Sequence, residues 1–170
     1  MKRLTMRDAE LLAQKFRLEA GMGMTEPVNV KTILMRFRVL TMYRPLSENS
    51  YGISIKTESA MFMMVNSNST RGRQHFTVAH ELYHLFYDEN PEPHVCGGSA
   101  SGVEKDANLF ASALLMPREG LLHEISEQEL RGRKVSMATV LRLEQLFEVS
   151  RMSLLLRLKD IGVITEQVLT

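Results

Sequence analysis

The sequence predicts an α+β protein in which helices surround a small antiparallel sheet. Apolar residues recur at helical spacing near the beginning and through the second half of the chain, whereas residues 39–66 contain three short runs rich in β-branched and aromatic residues. The chain has 170 residues, of which 44% are hydrophobic. A chain of this length can bury a core without disulfides or structural metals.

The first part of the chain predicts two helices and three strands. Residues 5–20 form an amphipathic pattern, and Thr5 with Asp8 resembles a capping box at its start. A second, short helix is expected after Asn29, which is a suitable N-cap. The runs VLTMYRPL, YGISIKT and AMFMMVN follow, separated by Pro, Asn, Ser and Gly, and they predict the strands.

The central part predicts a helix followed by a long loop. The pattern is helical from Arg71 to about Asp88. Residues 89–102, ENPEPHVCGGSASG, contain two prolines and three glycines, which favour a loop. Loops of this length are often functional.

The remaining residues are mainly helical in pattern. A helix is predicted over residues 103–116, and Pro117 ends it because proline cannot continue a helix from its interior. The pattern of residues 118–130 is ambiguous and is compatible with either a helix or a loop. Two capped helices are predicted at residues 136–147 and 150–160.

Composition gives no overall bias toward nucleic acid or anionic membranes, since the net charge is +1 and the pI is near 7.9. Acidic residues interrupt the N-terminal segment, and no run of eighteen apolar residues follows. These features predict a soluble, cytoplasmic protein that makes no membrane contact. Cys96 is the single cysteine, so an intramolecular disulfide is excluded.

The stretch QHFTVAHELYHLFYDE carries His80, Glu81 and His84 on one predicted helix. Successive helical residues advance by about 100°, so the two histidines lie about 40° apart and one turn along, and their imidazoles can converge on one ion. Tetrahedral zinc requires this arrangement of its first two ligands, and Glu81 is placed to take a proton from a water that the metal activates. The alternative is two histidines on a partly buried helix with Glu81 in solvent.

A catalytic zinc site also needs a third protein ligand and an open position. The candidates are Glu104 and Asp106 on the next helix and His94 and Cys96 in the loop. Glu104 is favoured because Asn108, four residues later on the same face, can hydrogen-bond a ligating histidine and fix its tautomer. Asp106 points about 200° away from Glu104. Cys96 is more simply interpreted as a solvent-exposed or half-packed thiol.

A zinc hydrolase also needs a group that stabilises the oxyanion. Four side chains are chemically able to do so, namely Tyr51, Tyr87, His75 and His94. Their spacing does not select among them.

Two motifs in order carry a family resemblance. RQHFTVAHELYH at 73–84, followed by VEKDANLFASALLMP at 103–117, closely resembles the ImmA/IrrE-type metallopeptidases, and weaker similarity extends the match to roughly residues 5–120. The resemblance implies a compact gluzincin-like fold with the active-site helix packed on a small sheet. It also implies a Zn²⁺ cofactor and four site residues, namely the ligands His80, His84 and Glu104 and the general base Glu81.

The resemblance also implies an organisation and a partner. With it, we predict a zinc metallopeptidase domain at residues 1–120. The helical pattern of the remaining residues predicts a C-terminal segment at residues 121–170 that is helix-turn-helix-like and packed on that domain. Many relatives carry an N-terminal helix-turn-helix domain, which this sequence does not contain. In this respect the sequence resembles the members that cut a partner repressor encoded beside them, often in phages or other mobile elements. The predicted function is therefore zinc-dependent endopeptidase action on a regulatory protein, most simply a helix-turn-helix transcriptional repressor.

A second hypothesis concerns residues 137–164, whose pattern of helix, short turn and helix has helix-turn-helix spacing. A DNA-binding interpretation would place Arg151, Arg157 and Lys159 on nucleic acid. The simpler interpretation is a packed helical hairpin with solvated basic residues, because neighbouring acidic residues dilute the positive charge. The alternative function is thus a non-proteolytic regulator that binds DNA or a partner protein through these helices.

Overall fold

The computed structural model describes residues 2–89, 93–97 and 101–168, except for the side chains of His94 and Val168. Helices surround a four-stranded sheet, which agrees with the predicted α+β class. The elements in chain order are α1 Met6–Glu19, α2 Val30–Arg36, β1 Val39–Arg44, β2 Ser50–Lys56, β3 Met61–Asn66, α3 Arg71–Tyr87, β4 His94–Gly97, α4 Gly102–Leu115, α5 Arg118–Glu124, α6 Glu127–Gly132, α7 Met137–Phe147, α8 Arg151–Asp160 and a 3-10 turn at Glu166–Val168.

Helix starts follow the capping residues in the sequence. Thr5 and Asp8 form the predicted capping box at the start of α1, and the Asn29 side chain accepts a hydrogen bond from the backbone of α2. Serine or threonine caps α3, α4, α6, α7 and α8. Residues 118–130, for which the sequence pattern was ambiguous, form α5 and most of α6.

The sheet is mixed, with strand order β1-β3-β2-β4. β2 pairs antiparallel with β3, as predicted, and also with β4, which was not predicted; β1 pairs parallel with β3. The prediction of a purely antiparallel sheet is wrong at this pair. β3 lies between β1 and β2 in the sheet. The chain reverses direction between β1 and β2 and again between β2 and β3, so β3 runs in the same direction as β1.

The predicted loop at residues 89–102 contains the short edge strand β4, and residues 90–92 and 98–100 of it lie outside the described residues. Cys96 pairs with Gly52 and Val95 with Ile53 across β2. The four-residue strand has a Gly- and Pro-rich surrounding sequence, so its formation depends on the pairing with β2, which local sequence does not reveal.

The core lies between the sheet and the helices. α3 packs on β2 and β3 on one side and on α4 on the other, and α1 packs on the far side of α4. The Phe16 ring of α1 contacts the ring of Phe110 on α4 edge to face, with centroids 5.7 Å apart. α4 thus buries residues against both α1 and α3, and α3 lies between α4 and the sheet.

The C-terminal helices share this core, since Leu143, Phe147, Leu154 and Leu158 belong to the same buried apolar cluster as α3 and α4. Arg157 is also buried, with 2% of its surface exposed, and its Nε donates to the Met116 carbonyl oxygen at 3.0 Å. The interpretation of Arg157 as a DNA contact is therefore wrong, because a buried guanidinium is not accessible to phosphate. In the described part of the chain, no helix is long and apolar enough to cross a membrane.

Arg17 is the second buried arginine and ties α1 to the end of α4. It is 0% exposed, and its guanidinium donates to the carbonyl oxygens of Leu114, Gly23 and Glu26 at 2.7–3.1 Å. Leu114 lies in the last turn of α4, where carbonyls have no partner within the helix. A side chain from a distant helix thus satisfies a buried backbone acceptor.

We expect Arg17→Met to lower the free energy of unfolding by about 3 kcal/mol, because methionine fills the space but leaves buried carbonyls without donors. Arg7→Met on the exposed face of the same helix is the matched control and should change it by less than about 0.5 kcal/mol. Urea denaturation followed by circular dichroism measures both. Equal midpoints for the two variants would contradict the assigned role of Arg17.

Candidate metal centre

α3 presents three polar side chains in the interior of the protein. His80, Glu81 and His84 are 2%, 0% and 5% exposed, respectively. The helix is continuous from its Thr70 cap to Tyr87, so the two histidines lie one turn apart on one face, as predicted. Their rings are 5.0 Å apart between centroids, and their Nε2 atoms are 3.2 Å apart.

Glu104 on α4 faces both histidines. One of its carboxylate oxygens lies 3.0 Å from His80 Nε2, and the other lies 3.3 Å from His84 Nε2. The Ser101 cap begins α4 three residues before Glu104 and so fixes the helical position of this residue. The packing of α3 against α4 thus brings together the three residues that the sequence analysis favoured as ligands.

The outer nitrogens of both imidazoles have oxygen partners. His80 Nδ1 lies 2.8 Å from Asn108 Oδ1, as predicted, and His84 Nδ1 lies 2.9 Å from Asp88 Oδ2. Because these oxygens accept, each Nδ1 carries the proton and donates it. In the neutral rings, the Nε2 lone pairs then point toward each other and toward Glu104.

The donor set at this point fits a divalent cation. Two nitrogen lone pairs and a carboxylate converge with separations of 3.0–3.3 Å. Ligand atoms about 2.0–2.1 Å from a tetrahedral zinc ion would lie about 3.3 Å apart, which is close to these values.

The acceptors around His84 also favour a positive charge on its imidazole. Burial alone would lower the pKa of His84, but the hydrogen bonds to Glu104 and Asp88 outweigh this effect and raise it.

Glu81 projects from α3 toward the sheet. The Ser54 hydroxyl of β2 donates a hydrogen bond to the Glu81 carboxylate, and both residues are buried. Gly52 of β2 lies close to the Thr77 and Glu81 side chains of α3, and the absence of a side chain at this glycine leaves room for them. The carboxylate is therefore held in one orientation beside the histidines, as a proton acceptor must be.

The other proposed ligands differ in position. Asp106 points away from the cluster, as predicted, and accepts hydrogen bonds from the Leu4 backbone and, at 3.5 Å, from Arg3. Cys96 is buried rather than half-exposed, and its sulfur lies within 4.8 Å of the candidate ligand atoms of His80 and Glu104. Burial raises the pKa of the Cys96 thiol above its ordinary value, so the neutral form is favoured. The side chain of His94 lies outside the described residues.

A cleft of about 240 Å³ opens beside the cluster and gives it access to solvent. Of the residues considered for the oxyanion, Tyr51 lines this cleft, with the Arg73 guanidinium 4.4 Å from the centre of its ring. Tyr87 instead packs against Phe110 in the core, and buried His75 lies 3.1 Å from the Glu148 carbonyl oxygen. Among the residues whose side chains are described, Tyr51 is thus the best placed of these candidates.

Sequence reasoning missed two supporting residues. Asp88 lies four residues after His84, so helical spacing alone could have identified it as a partner. Ser54 lies on a strand 27 residues before Glu81, and nothing in its local sequence indicates the contact. Long-range pairs of this kind emerge only from the packing of the sheet on α3.

We expect Gly52→Ala to disturb the centre, because a Cβ at this position would lie 2.6 Å from Thr77 Cγ2 and 3.0 Å from the Met64 carbonyl oxygen. Such overpacking costs typically about 1–3 kcal/mol. Gly132→Ala is the control, since a Cβ there meets no atom of the described residues within 4 Å, and it should leave stability unchanged or slightly raised. Thermal unfolding measures both, and an unchanged Gly52→Ala variant would show that the strand and helix separate at little cost.

Comparison with known proteins assigns the family. The model of the IrrE N-terminal-like domain, peptidase family M78, matches residues 34–159, which include α3 and α4. No curated protein matches the chain. A solved structure of a Mycobacterium tuberculosis transcriptional regulator shares the fold with a TM-score of 0.59 and 19% sequence identity, over 90% of this chain and 46% of that one. This chain thus spans less than half of that regulator. The match of the family model over most of its length shows that the chain belongs to the IrrE N-terminal-like family of metallopeptidases.

Proposed function

We propose that the protein is a zinc-dependent endopeptidase that hydrolyses a peptide bond in a partner regulatory protein. The observation that carries the proposal is the convergence of His80, His84 and Glu104 at separations that suit a tetrahedral ion, with buried Glu81 beside them. Two imidazoles and one carboxylate form the ligand set of many zinc hydrolases, and they leave one position open. Zinc is favoured over magnesium or calcium because nitrogen ligands suit it.

The residues of the chain have separate roles in the proposed reaction. His80, His84 and Glu104 would hold the ion, which when bound supplies Lewis acidity to the scissile carbonyl and to the attacking water. Glu81 takes a proton from that water at its carboxylate and passes it to the leaving amide nitrogen. Ser54 keeps this carboxylate oriented, and Asn108 and Asp88 keep the imidazoles in the tautomer that presents Nε2.

The edge of the sheet favours a peptide as the substrate. β4 pairs with β2 on one side, and in the described part of the chain no strand pairs with its other side. Cys96 and Gly97 of β4 line the cleft beside His80 and Glu104. An extended peptide can add to such an edge through main-chain hydrogen bonds, which would bring a peptide bond next to the candidate ligands.

The partner and the setting follow from the resemblance to ImmA/IrrE-type peptidases. It favours a helix-turn-helix transcriptional repressor of a phage or mobile element as the substrate, and a cytoplasmic location. The division into a peptidase domain at residues 1–120 and a helical segment at residues 121–170 stays a prediction. Cleavage of an identified partner repressor by the purified protein would test this assignment.

The alternative of DNA binding through α7 and α8 has less support. Arg151 lies 2.6 Å from Glu144, and Lys159 lies 2.7 Å from Glu166, so both basic side chains are paired with acids. Buried Arg157 is not accessible. Non-specific DNA affinity depends on cations that are available to phosphates, and these pairs reduce that availability.

We expect about one zinc ion per chain in protein purified without a histidine tag. Glu104→Ala should lose the metal because it removes one of three ligands, whereas Asp106→Asn should keep it while retaining an acceptor for the Leu4 backbone. Plasma mass spectrometry on the wild type and both variants measures the content. Zinc retained by Glu104→Ala, or no uptake by the wild type on zinc addition, would contradict the assigned ligand set.

We expect Glu81→Gln to keep zinc and fold but to slow cleavage by about 100-fold or more, since it removes the proton acceptor and preserves an oxygen for the Ser54 hydroxyl. New protein N-termini, mapped by mass spectrometry in cells of the encoding organism that produce either form, report cleavage even before the substrate has been identified. The proposal fails if both forms generate the same new N-termini at the same rate.

A further inference from the structure

A second pocket, of about 500 Å³, lies beside the cleft of the candidate metal centre. The two cavities share four lining residues, so one continuous groove runs from the candidate ligands toward α8. The shared residues are Arg73, Phe76, Lys105 and Asn108. We refer to this second cavity as the α8 pocket. Its volume lies in the range of sites that bind small ligands or large side chains.

The α8 pocket has a mainly apolar wall. Its apolar lining comes from four helices and consists of Met6 on α1, Phe76 on α3, Leu109 on α4 and Leu156 on α8. Leu156 is 45% exposed, although it lies beside residues that pack in the core. The other three residues are partly buried, and Phe76 packs against the core, so Leu156 is the apolar residue of this wall that the free protein leaves exposed. An exposed leucine beside a concave, partly apolar surface next to the cleft favours a role in binding.

The two ends of the α8 pocket differ in charge. Arg73 and Lys105, both exposed, lie where the pocket meets the cleft. At the far end, the charge of Arg157 is balanced by Glu10, 3.0 Å away, and by the nearby carboxylate of Asp160. The entrance is therefore cationic, whereas the interior is apolar and close to neutral.

The pocket is preformed because the helices that line it pack into the core on their opposite faces. Leu154 and Leu158 bury the opposite face of α8, and Arg157 bonds this helix to the end of α4 through the Met116 carbonyl. Leu109 lies on α4 itself, one turn after Lys105. A rigid concave surface of this kind can select a side chain without losing affinity to reordering.

We propose that the α8 pocket is a specificity subsite of the peptidase that takes a bulky apolar side chain of the substrate, with an adjacent acidic residue paired to Arg73 and Lys105. This inference rests on the proposed function, since continuity with the cleft is what makes a peptide segment the occupant. The apolar wall matches leucine, methionine or phenylalanine, and the cationic entrance matches aspartate or glutamate. α8 thereby contributes to substrate choice although it carries none of the candidate metal ligands.

The test selects a displayed library of random dodecapeptides against the zinc-loaded Glu81→Gln protein, in which bound peptides remain intact. Enrichment of sequences that join a bulky apolar residue to an acidic one is expected. The affinity of a selected peptide is then measured by fluorescence anisotropy. No enriched sequence, or enrichment of basic peptides, would overturn the proposal.

Matched variants locate the binding to the pocket. Leu156→Asp should weaken a selected peptide by about 10-fold or more, because an apolar side chain loses its wall, whereas Leu141→Asp at a similarly exposed position, 42% against 45%, should not. Ser112→Phe fills the pocket without adding charge and should weaken binding to a similar extent. Unchanged affinity in both Leu156→Asp and Ser112→Phe contradicts the assignment.

The acidic preference has its own pair of variants. Lys105→Glu should weaken the binding of acidic peptides. Lys15→Glu, at an exposed position of α1, is the control, because Lys15 does not line the groove. Equal binding by these two variants would contradict the role of the cationic entrance. Peptides that bind the pocket but are not cut by the wild-type protein would support the subsite and contradict the proposed peptidase function. Cleavage of peptides without any preference for an apolar residue would support the peptidase function and contradict the subsite.

Discussion

The packing of α3 against α4 is the interaction on which the rest of the structure depends. It brings two imidazole nitrogens and a carboxylate to within 3.0–3.3 Å of one another in a buried environment. Acceptors concentrated in this way repel one another unless a cation or a proton lies between them. The neighbouring contacts of Asn108, Asp88 and Ser54 hold the acceptors in place, so part of the folding free energy is used to maintain an arrangement that favours a bound ion.

α4 connects the two sides of the molecule through the carbonyls at its end. Arg17 of α1 donates to the Leu114 carbonyl oxygen, and Arg157 of α8 donates to that of Met116. Both guanidinium groups are buried, and each satisfies an acceptor that the helix cannot satisfy itself. The helices that surround the centre are thus joined by polar contacts of high directionality as well as by apolar packing.

The parts of this architecture that the sequence predicted are those with local signals. The helix of His80 and His84, the capping box of Thr5 and the spacing of Glu104 and Asn108 all follow from residues within two turns of one another. β4, the parallel pairing of β1 with β3, and the burial of Arg157 were not predicted. Each of these features depends on a segment that is distant in sequence. In addition, an arginine ordinarily lies at the surface, and a Gly-rich stretch ordinarily forms a loop.

Buried Arg157 also determines when the end of α4 can be completed during synthesis. Arg17 precedes α4 in the chain, but Arg157 leaves the ribosome 41 residues after the Met116 carbonyl that it contacts. The end of α4 therefore acquires its last buried donor only when α8 has docked. Because Glu104 lies on the same helix, a chain that stops before α8 carries all three candidate ligands but lacks this last buried contact at the end of α4.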